Sequence, residues 1–357
     1  MGANSVAQQR PLGWKPERIW VFVAGTLEWQ HAESYPPFPK QNRRDAALIA
    51  FFQAQGVPSA QVVYLQDQRA TTRNIQQSLE AHLAAASAGD LLVLYFCGHG
   101  DKSDDGVAAF VSYDADGAHN PGWLVNAIPA TIERCFAGSH ALLVADCCYS
   151  GCLADAITPP DRRVAYACLT SSLASESSTG NWTFTEGLLA GLRGQAFVDA
   201  DGNAVITLRE LAAQIAESMA FAEEQLASFA TAGDFDPDLV IAAARPRPDP
   251  RVGQRVEVHA DGGWYRAQII DARGEQLKVH YYGYEESDDE WLTVERIREV
   301  VRPLYPIGSV VEVKWKRSWY PATVLDVQNG IHHIQYKDYG PEWNEWVASK
   351  RIRLNAN

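Results

Sequence analysis

Hydrophobic and polar positions follow two different rhythms along this chain. From about Arg18 to Ala243, short apolar runs alternate with stretches of helical periodicity. RIWVFVAGT, QVVYLQD, LLVLYFCGHG, ALLVADCCYSG and VAYACLTSS read as strands. Near-continuous apolar runs bounded by turn residues suit strands buried on both faces. RRDAALIAFFQAQG, TTRNIQQSLEAHLAAAS, VNAIPATIERCFAG and TFTEGLLAGLRG read as intervening helices, several closed by a glycine. ITLRELAAQIAESMAFAEEQ reads as a long helix and DFDPDLVIAAA as a last strand. Strands alternating with helices predict an α/β fold, a mostly parallel sheet flanked by helices.

Beyond ARPRPDPR (244–251), a Pro-rich and semi-rigid linker, the rhythm becomes that of β strands. GQRVEVHADGGWYRAQIIDARGEQLKVHYYGYEESDDEWLTVERIR (253–298) aligns without gaps on GSVVEVKWKRSWYPATVLDVQNGIHHIQYKDYGPEWNEWVASKRIR (308–353), a period of 55 residues. Trp264/Trp319, Tyr265/Tyr320, Tyr281/Tyr336, Tyr284/Tyr339 and Trp291/Trp346 are among the preserved pairs. Each repeat is expected to be a small, strongly bent β unit. The expected organisation is a disordered lead-in (1–17), an α/β domain (18–243), the linker (244–251) and two β modules (252–302 and 303–357).

Charge divides the chain the same way. Residues 1–250 carry 16 Lys and Arg against 28 Asp and Glu, whereas residues 251–357 carry 15 against 16. An acidic α/β domain favours cationic substrates over polyanions. No apolar run reaches the roughly 18 residues of a membrane span, and the N-terminal stretch has no apolar signal core, so a cytoplasmic, non-membrane protein is expected. The six cysteines are at 97, 135, 147, 148, 152 and 168. Their spacing suits neither a disulfide framework nor the paired CxxC of a zinc site.

Two strand ends carry the chemistry. LLVLYFCGHGD places His99 between two glycines, and ALLVADCCYSG places Cys147 and Cys148 after Asp146. Reactive groups at the carboxyl ends of parallel strands sit where open α/β sheets place their sites. A cysteine with a histidine acid/base suits nucleophilic catalysis, and the glycines allow close backbone approach to a substrate. Periodicity does not choose between Cys147 and Cys148.

YFCGHGD paired with ADCCYSG resembles the caspase-like peptidases, in particular the metacaspase and orthocaspase branch. QNRRDA (41–46), LTSSLASESS (169–178), GNWTFTEGLLAGLRG, DADGNAVITLREL and GDFDPDLVIA extend the resemblance over residues 18–243. The resemblance implies His99 as acid/base, Cys148 as nucleophile, and the N–H groups of Gly100 and Cys148 as the oxyanion site. It also implies Asp45 and Asp146 as acids of the first specificity pocket, with Cys97 beside them. Two carboxylates in one pocket pair with Arg or Lys, so protein substrates cleaved after Arg or Lys are expected. The alternative for the acids is that Asp146 caps a strand end and Asp45 pairs with Arg43 or Arg44. Cys97 departs from the Ser of many relatives, and Asn42 from their Cys.

Relatives often cut themselves in the segment corresponding to ADAITPPDRRVAY (154–166), which makes Arg162 and Arg163 candidate self-cleavage points against a plain surface basic pair. No cofactor is required. Calcium is a subsidiary candidate, because some metacaspases use acids near the dyad, here Asp104, Asp105, Asp114 and Asp155. DADGNAVITLRE also resembles a calcium loop through Asp199, Asp201, Asn203, Thr207 and Glu210, with Ala204 where Gly is usual. Its plainer reading is a polar turn capping the next helix.

The two repeats resemble Tudor, Agenet and chromo-barrel modules. That implies aromatic cages for a methylated Lys or Arg, from Tyr281, Tyr284 and Trp291 in one repeat and Tyr336, Tyr339 and Trp346 in the other. Trp264 and Trp319 are rim or core. Near-zero net charge favours a peptide or protein partner over nucleic acid. The sequence thus points to a cysteine endopeptidase targeted or regulated by tandem binding modules. Its rival is a binding scaffold with an inactive or partner-activated peptidase-like domain.

Overall fold

The computed structural model describes residues 15–41, 43–159, 162–247 and 249–354; Asn42 and most of the expected lead-in lie outside them. In chain order the elements are β1 (Ile19–Gly25), α1 (Arg44–Ala54), β2 (Val62–Gln66), α2 (Thr72–Ala84), β3 (Leu91–Cys97), β4 (Gly100–Lys102), β5 (Ala108–Phe110) and β6 (Trp123–Leu124). There follow α3 (Ala127–Cys135), β7 (His140–Asp146), α4 (Cys152–Ile157), β8 (Ala165–Thr170), α5 (Thr183–Leu192), β9 (Val205–Thr207), α6 (Leu208–Ala222), β10 (Ser228–Ala232) and β11 (Val240–Ala243).

The main sheet has six strands in the order β10-β8-β7-β3-β1-β2. All its pairings are parallel except β10 against β8. Every residue of β1, β3 and β8 is buried, as the apolar runs require. Alternate residues enter two cores. Val93, Tyr95, Cys97, Leu142 and Val144 pack towards α1, α5 and α6; Leu92, Leu94, Phe96, Leu143 and Ala145 pack towards α2, α3 and α4. The architecture is a mixed sheet with helices on both faces, followed by two small antiparallel β modules.

Two elements differ from the sequence reading. The expected last strand, Val240–Ala243, pairs with β9 outside the main sheet. The sixth strand is instead Ser228–Ala232, which carries no alternating apolar signal because it is a half-exposed edge. The loop after His99 also folds into a small three-stranded sheet, β4-β5-β6.

The repeats fold alike. One comprises β12 (Arg255–Ala260), β13 (Gly263–Arg273), β14 (Gln276–Tyr281), β15 (Glu290–Leu292) and β16 (Ile297–Arg298). The other comprises β17 (Val310–Trp315), β18 (Ser318–Gln328), β19 (Ile331–Tyr336), β20 (Glu345–Ala348) and β21 (Ile352–Leu354). Val256 opposes Ala267 as Val311 opposes Ala322, and register breaks at Ile269/Asp271 and Val324/Asp326 bend both long strands. Each repeat has its own core, around Val258 and Val279 or Val313 and Ile334. Both lean on α6. In the first, Arg255 pairs with Glu217 at 2.8 Å and Arg302 donates to the carbonyls of Ala220 and Phe221 at 2.8 and 2.6 Å; in the second, Ile331 and Ala348 pack against Ala220.

Candidate active site

Parallel register sets the site. Gly25, Cys97 and Asp146 are neighbours at the carboxyl ends of β1, β3 and β7. His99 and Cys148 follow two residues beyond Cys97 and Asp146. The glycines around His99 bring the two segments together. A Cβ on Gly100 would stand 1.9 Å from the Cys148 carbonyl oxygen, and Gly98 has φ +148° with Thr26 O 2.7 Å from where its Cβ would be. A larger residue at position 100 would drive the histidine segment off the cysteine segment.

His99 is half-buried in an aromatic box. Its ring centroid lies 4.4 Å from Trp29 and 4.5 Å from Phe38, with Tyr35 at 5.9 Å. Nε2–H donates to the Pro36 carbonyl at 2.8 Å. A carbonyl only accepts, so that bond leaves Nδ1 as the free base of the neutral ring. Burial lowers the imidazole pKa, outweighing the Pro36 bond and the Asp101 charge that raise it. The ring is therefore neutral at pH 7, as a proton acceptor must be.

The two cysteines part company at the strand end. Cys147 is buried in the core, and desolvation raises its thiol well above the ordinary range. Cys148 is half-exposed and meets the 171–178 loop: Ser178 N–H donates to Sγ at 3.2 Å, and Sγ reaches the Ser178 carbonyl at 3.7 Å. Tyr149 has φ +55°, an unfavourable left-handed conformation for a bulky side chain. It is held by its N–H bond to Glu176 O at 2.8 Å. Ser172 Oγ donates to the Cys147 carbonyl at 3.0 Å and accepts Ser150 N–H at 3.1 Å.

Asp146 and Asp45 lie before His99 and Cys148, at the strand-end level of Cys97. Asp146 accepts Thr185 Oγ1–H at 2.6 Å, and Tyr95 OH joins the same hydroxyl at 2.7 Å. Desolvation raises Asp146 to about 6, against hydrogen bonds from Thr185 and Ser171. Asp45 is fully buried, its carboxylate packed on Gly25 and accepting Tyr64 OH at 2.8 Å. It also takes the fork of Arg43, Nε at 3.1 Å and Nη2 at 2.8 Å. Cys97, 1% exposed, lies between these acids; burial pushes its thiol up first, and the charges of Asp45 and Asp146 add to that. The plainer expectation for Asp45, pairing with Arg43, thus describes the free protein.

The other candidates fall into place as follows. Arg162 donates to Ala156 O at 2.6 Å, and Arg163 to Gly138 O at 3.1 Å and to the Phe136 carbonyl, so both arginine side chains are engaged. Carboxylate oxygens of Asp199, Asp201 and Glu210 lie within 4.8 Å of one another. They already accept the loop's own N–H groups: Gly202 and Ala204 on Asp199 at 2.8 and 3.0 Å, Thr207 on Glu210 at 2.9 Å. Ala204 is held at φ +68°, and Thr207 with Glu210 forms a capping box for α6. Asn203 Nδ2–H donates to Asp201 at 2.9 Å, and its Oδ1 accepts Val205 N–H at 3.0 Å. This arrangement meets the needs of a helix cap. Asp114 is likewise engaged, by Thr72 N–H at 2.8 Å and Ser112 OH at 2.9 Å.

The aromatic grouping corrects the sequence reading. Trp315, Tyr320, Tyr336, Tyr339 and Trp343 line a pocket of about 300 Å³ with Glu342 and Glu345 at its wall. Trp346 is elsewhere: it stacks on His333 at 4.9 Å and packs beside Leu173, Ala220 and Leu226 of the α/β domain. Trp291 stacks under Arg273 at 4.5 Å, and Trp264 and Trp319 under Arg298 and Arg353. In the first repeat Tyr265, Tyr281 and Tyr284 cluster, but Ala260 and Asp288 stand where the second has Trp315 and Trp343. Those two tryptophans escaped sequence reasoning because they are not preserved in the repeat. Pro36, Trp29 and Phe38 escaped it because their loop has no periodicity, although LEWQHAESYPPFP is rich in aromatics.

Strand order and the residues at the strand ends place a candidate site on an α/β domain joined to paired β modules. Family models agree. The metacaspase peptidase C14 domain matches residues 57–157, and the Agenet domain matches 253–306 and 308–355. These partial matches make the chain similar to metacaspase peptidases over residues 57–157 and to Agenet modules over the C-terminal repeats, and cysteine peptidase is the enzyme class they support. Among solved structures, similarity extends to a protein from Geobacter sulfurreducens (15% identity, TM-score 0.43, 63% of this chain and 100% of that one). It extends also to caspase-1 from Spodoptera frugiperda (13%, 0.42, 69% and 98%). The AGD34 segment of Arabidopsis thaliana AGDP1 is similar over 29% of this chain and 80% of its own (20%, 0.14). No curated protein matches. No helix among the described residues is long and apolar enough to cross a membrane.

Proposed function

We propose that this protein is a cysteine endopeptidase that cleaves proteins after Arg or Lys, with Cys148 as nucleophile and His99 as acid/base. Nδ1 of His99 takes the Cys148 proton, and the thiolate attacks the carbonyl carbon of the scissile peptide bond. The N–H groups of Gly100 and Cys148 receive the developing oxyanion. The imidazolium returns its proton to the leaving amine, and water then hydrolyses the thioester with His99 again as base.

The observation that carries the specificity is Arg43 on Asp45. A guanidinium already makes there the two-pronged bond that a substrate arginine would make. The second Agenet domain supports a regulatory or targeting role, since its aromatic pocket suits a methylated or otherwise cationic side chain of a peptide partner. Its wall residue Glu345 faces Glu176, which burial first and then the Glu345 charge push up to about 7. The Glu176 carbonyl holds Tyr149, next to Cys148.

Fluorogenic peptides ending in Arg, Lys or Asp test the reading. Cleavage after Arg and Lys, lost in Cys148→Ala, is expected. A preference for Asp sinks the specificity, and failure of an arginyl active-site inhibitor to label Cys148 favours the scaffold alternative.

A further inference from the structure

We infer that Arg43 is an internal occupant of the specificity pocket, a built-in competitor that a substrate's basic side chain must displace from Asp45. The inference rests on the Arg/Lys reading above and specifies how that pocket is controlled.

The geometry separates the two sides of the Arg43 guanidinium. Nε and Nη2 face Asp45 at 3.1 and 2.8 Å. Nη1 faces Asp67 at 2.5 Å, and Nη2 also donates to the Gly25 carbonyl at 2.8 Å. Side-chain exposure is 8% for Arg43, 0% for Asp45 and 10% for Asp67. This is not a surface pair. Gly25 is the register neighbour of Cys97, and Cys97 of Asp146, so the guanidinium lies at the strand-end level of the candidate pocket.

A buried carboxylate without a partner is costly, so Arg43 keeps Asp45 paired in the free protein. An incoming arginine offers Asp45 the same bidentate bond. Arg43 need not enter water bare on release, because Asp67 keeps hold of it. Asp67 is itself fixed, accepting Leu27 N–H at 2.9 Å, and Lys40 lies 3.5 Å from its other oxygen. The exchange therefore swaps one guanidinium for another on Asp45. The substrate's net gain comes from the rest of the pocket, chiefly Asp146. Such a pocket binds its substrate more weakly than its two acids alone would, and it discriminates against side chains that cannot replace the fork. Lysine, a single-point cation, exchanges less well than arginine.

The test compares wild type with Arg43→Gln and Arg43→Lys, using arginyl and lysyl peptides. Binding of agmatine, a free guanidinium probe, is measured in the Cys148→Ala background. Arg43→Gln should lower KM for the arginyl peptide and tighten agmatine binding, each about tenfold, with kcat within about twofold. Arg43→Lys should fall between, and it carries the test alone if Arg43→Gln does not fold. An unchanged or raised KM with unchanged agmatine affinity, while arginine preference persists, overturns the competitor and leaves Arg43 a fixed structural ion pair. Indifference of all three proteins to arginyl and lysyl peptides, with cleavage elsewhere, overturns the Arg/Lys reading itself.

Discussion

Replacing Asp146 with Asn should stabilise the free protein at neutral pH and remove cleavage after arginine. The carboxyl is buried, and desolvation raises it from 3.8 to about 6. The folded value lies above the unfolded one, so the folded state holds the proton more tightly. The stability from this group is complete at low pH and is lost as pH rises from the unfolded value through the folded one. The shift corresponds to about 3 kcal/mol at most. Asp146→Asn keeps an oxygen for the Thr185 hydroxyl but buries an amide NH2, at a cost of about 1–2 kcal/mol that does not vary with pH. The signal is therefore the slope: the variant's stability relative to wild type should rise by about 2 kcal/mol between about pH 4 and pH 8. Urea denaturation followed by tryptophan fluorescence, with Cys148→Ala in both proteins to prevent proteolysis, measures it. Agmatine binding in the same background should tighten as pH rises through about 6 in the Asp146 protein and stay flat in the variant. A stability difference that does not move with pH refutes the assignment of a strained, functional carboxylate.

Three further outcomes follow from the geometry. Cys147→Ser should retain activity and lose about 1–2 kcal/mol of stability by placing a hydroxyl in the core, whereas Cys148→Ser should lose cleavage; peptide hydrolysis with a melting curve separates the two. Trp343→Ala should weaken binding of a trimethyl-lysine peptide by about tenfold, while Trp291→Ala, whose ring is already covered by Arg273, should leave it unchanged in a titration. Chelation of calcium should change neither activity nor the melting midpoint, because the acids of the 199–210 loop are engaged in capping α6; a calcium-dependent midpoint would reverse that reading.

Much of this architecture was legible because parallel sheets make an unusually direct demand on sequence. The runs at β1, β3, β7 and β8 must be apolar throughout, and glycines and reactive residues must interrupt them where the chain leaves the sheet. That the His99 segment and the Cys147–Cys148 turn leave neighbouring strand ends was legible for the same reason. The choice between the cysteines was not, since it depends on which side of a single strained turn faces the core. Nor was the Pro36 acceptor or the state of Asp45. A backbone carbonyl carries no residue signature, and Arg43 and Arg44 look alike in sequence. Only the fold sends Arg43 to Asp45 and Asp67 and Arg44 to Glu186, at 2.6 Å on α5.

The duplicated module carries the opposite lesson: similarity of repeats reports scaffold more than site. The positions kept at the 55-residue period include the core valines, the tyrosine that bonds the first glutamate of β15 or β20, and the Trp–Arg stacks. What differs is the pocket, where Trp315 and Trp343 face Ala260 and Asp288 in the other copy. The first copy instead turns charge towards the α/β domain: His280, raised to about 9 by Asp289 and Glu186 despite its burial, bridges β14 to α5. Arg266 ties the same copy to Glu224 at the end of α6. The second copy docks through Trp346 and through Lys350, which pairs with the same Glu224, and keeps its aromatic pocket open. The two copies thus differ in what they leave open, and the copy with the open aromatic pocket packs against Leu173, in the loop that meets Cys148.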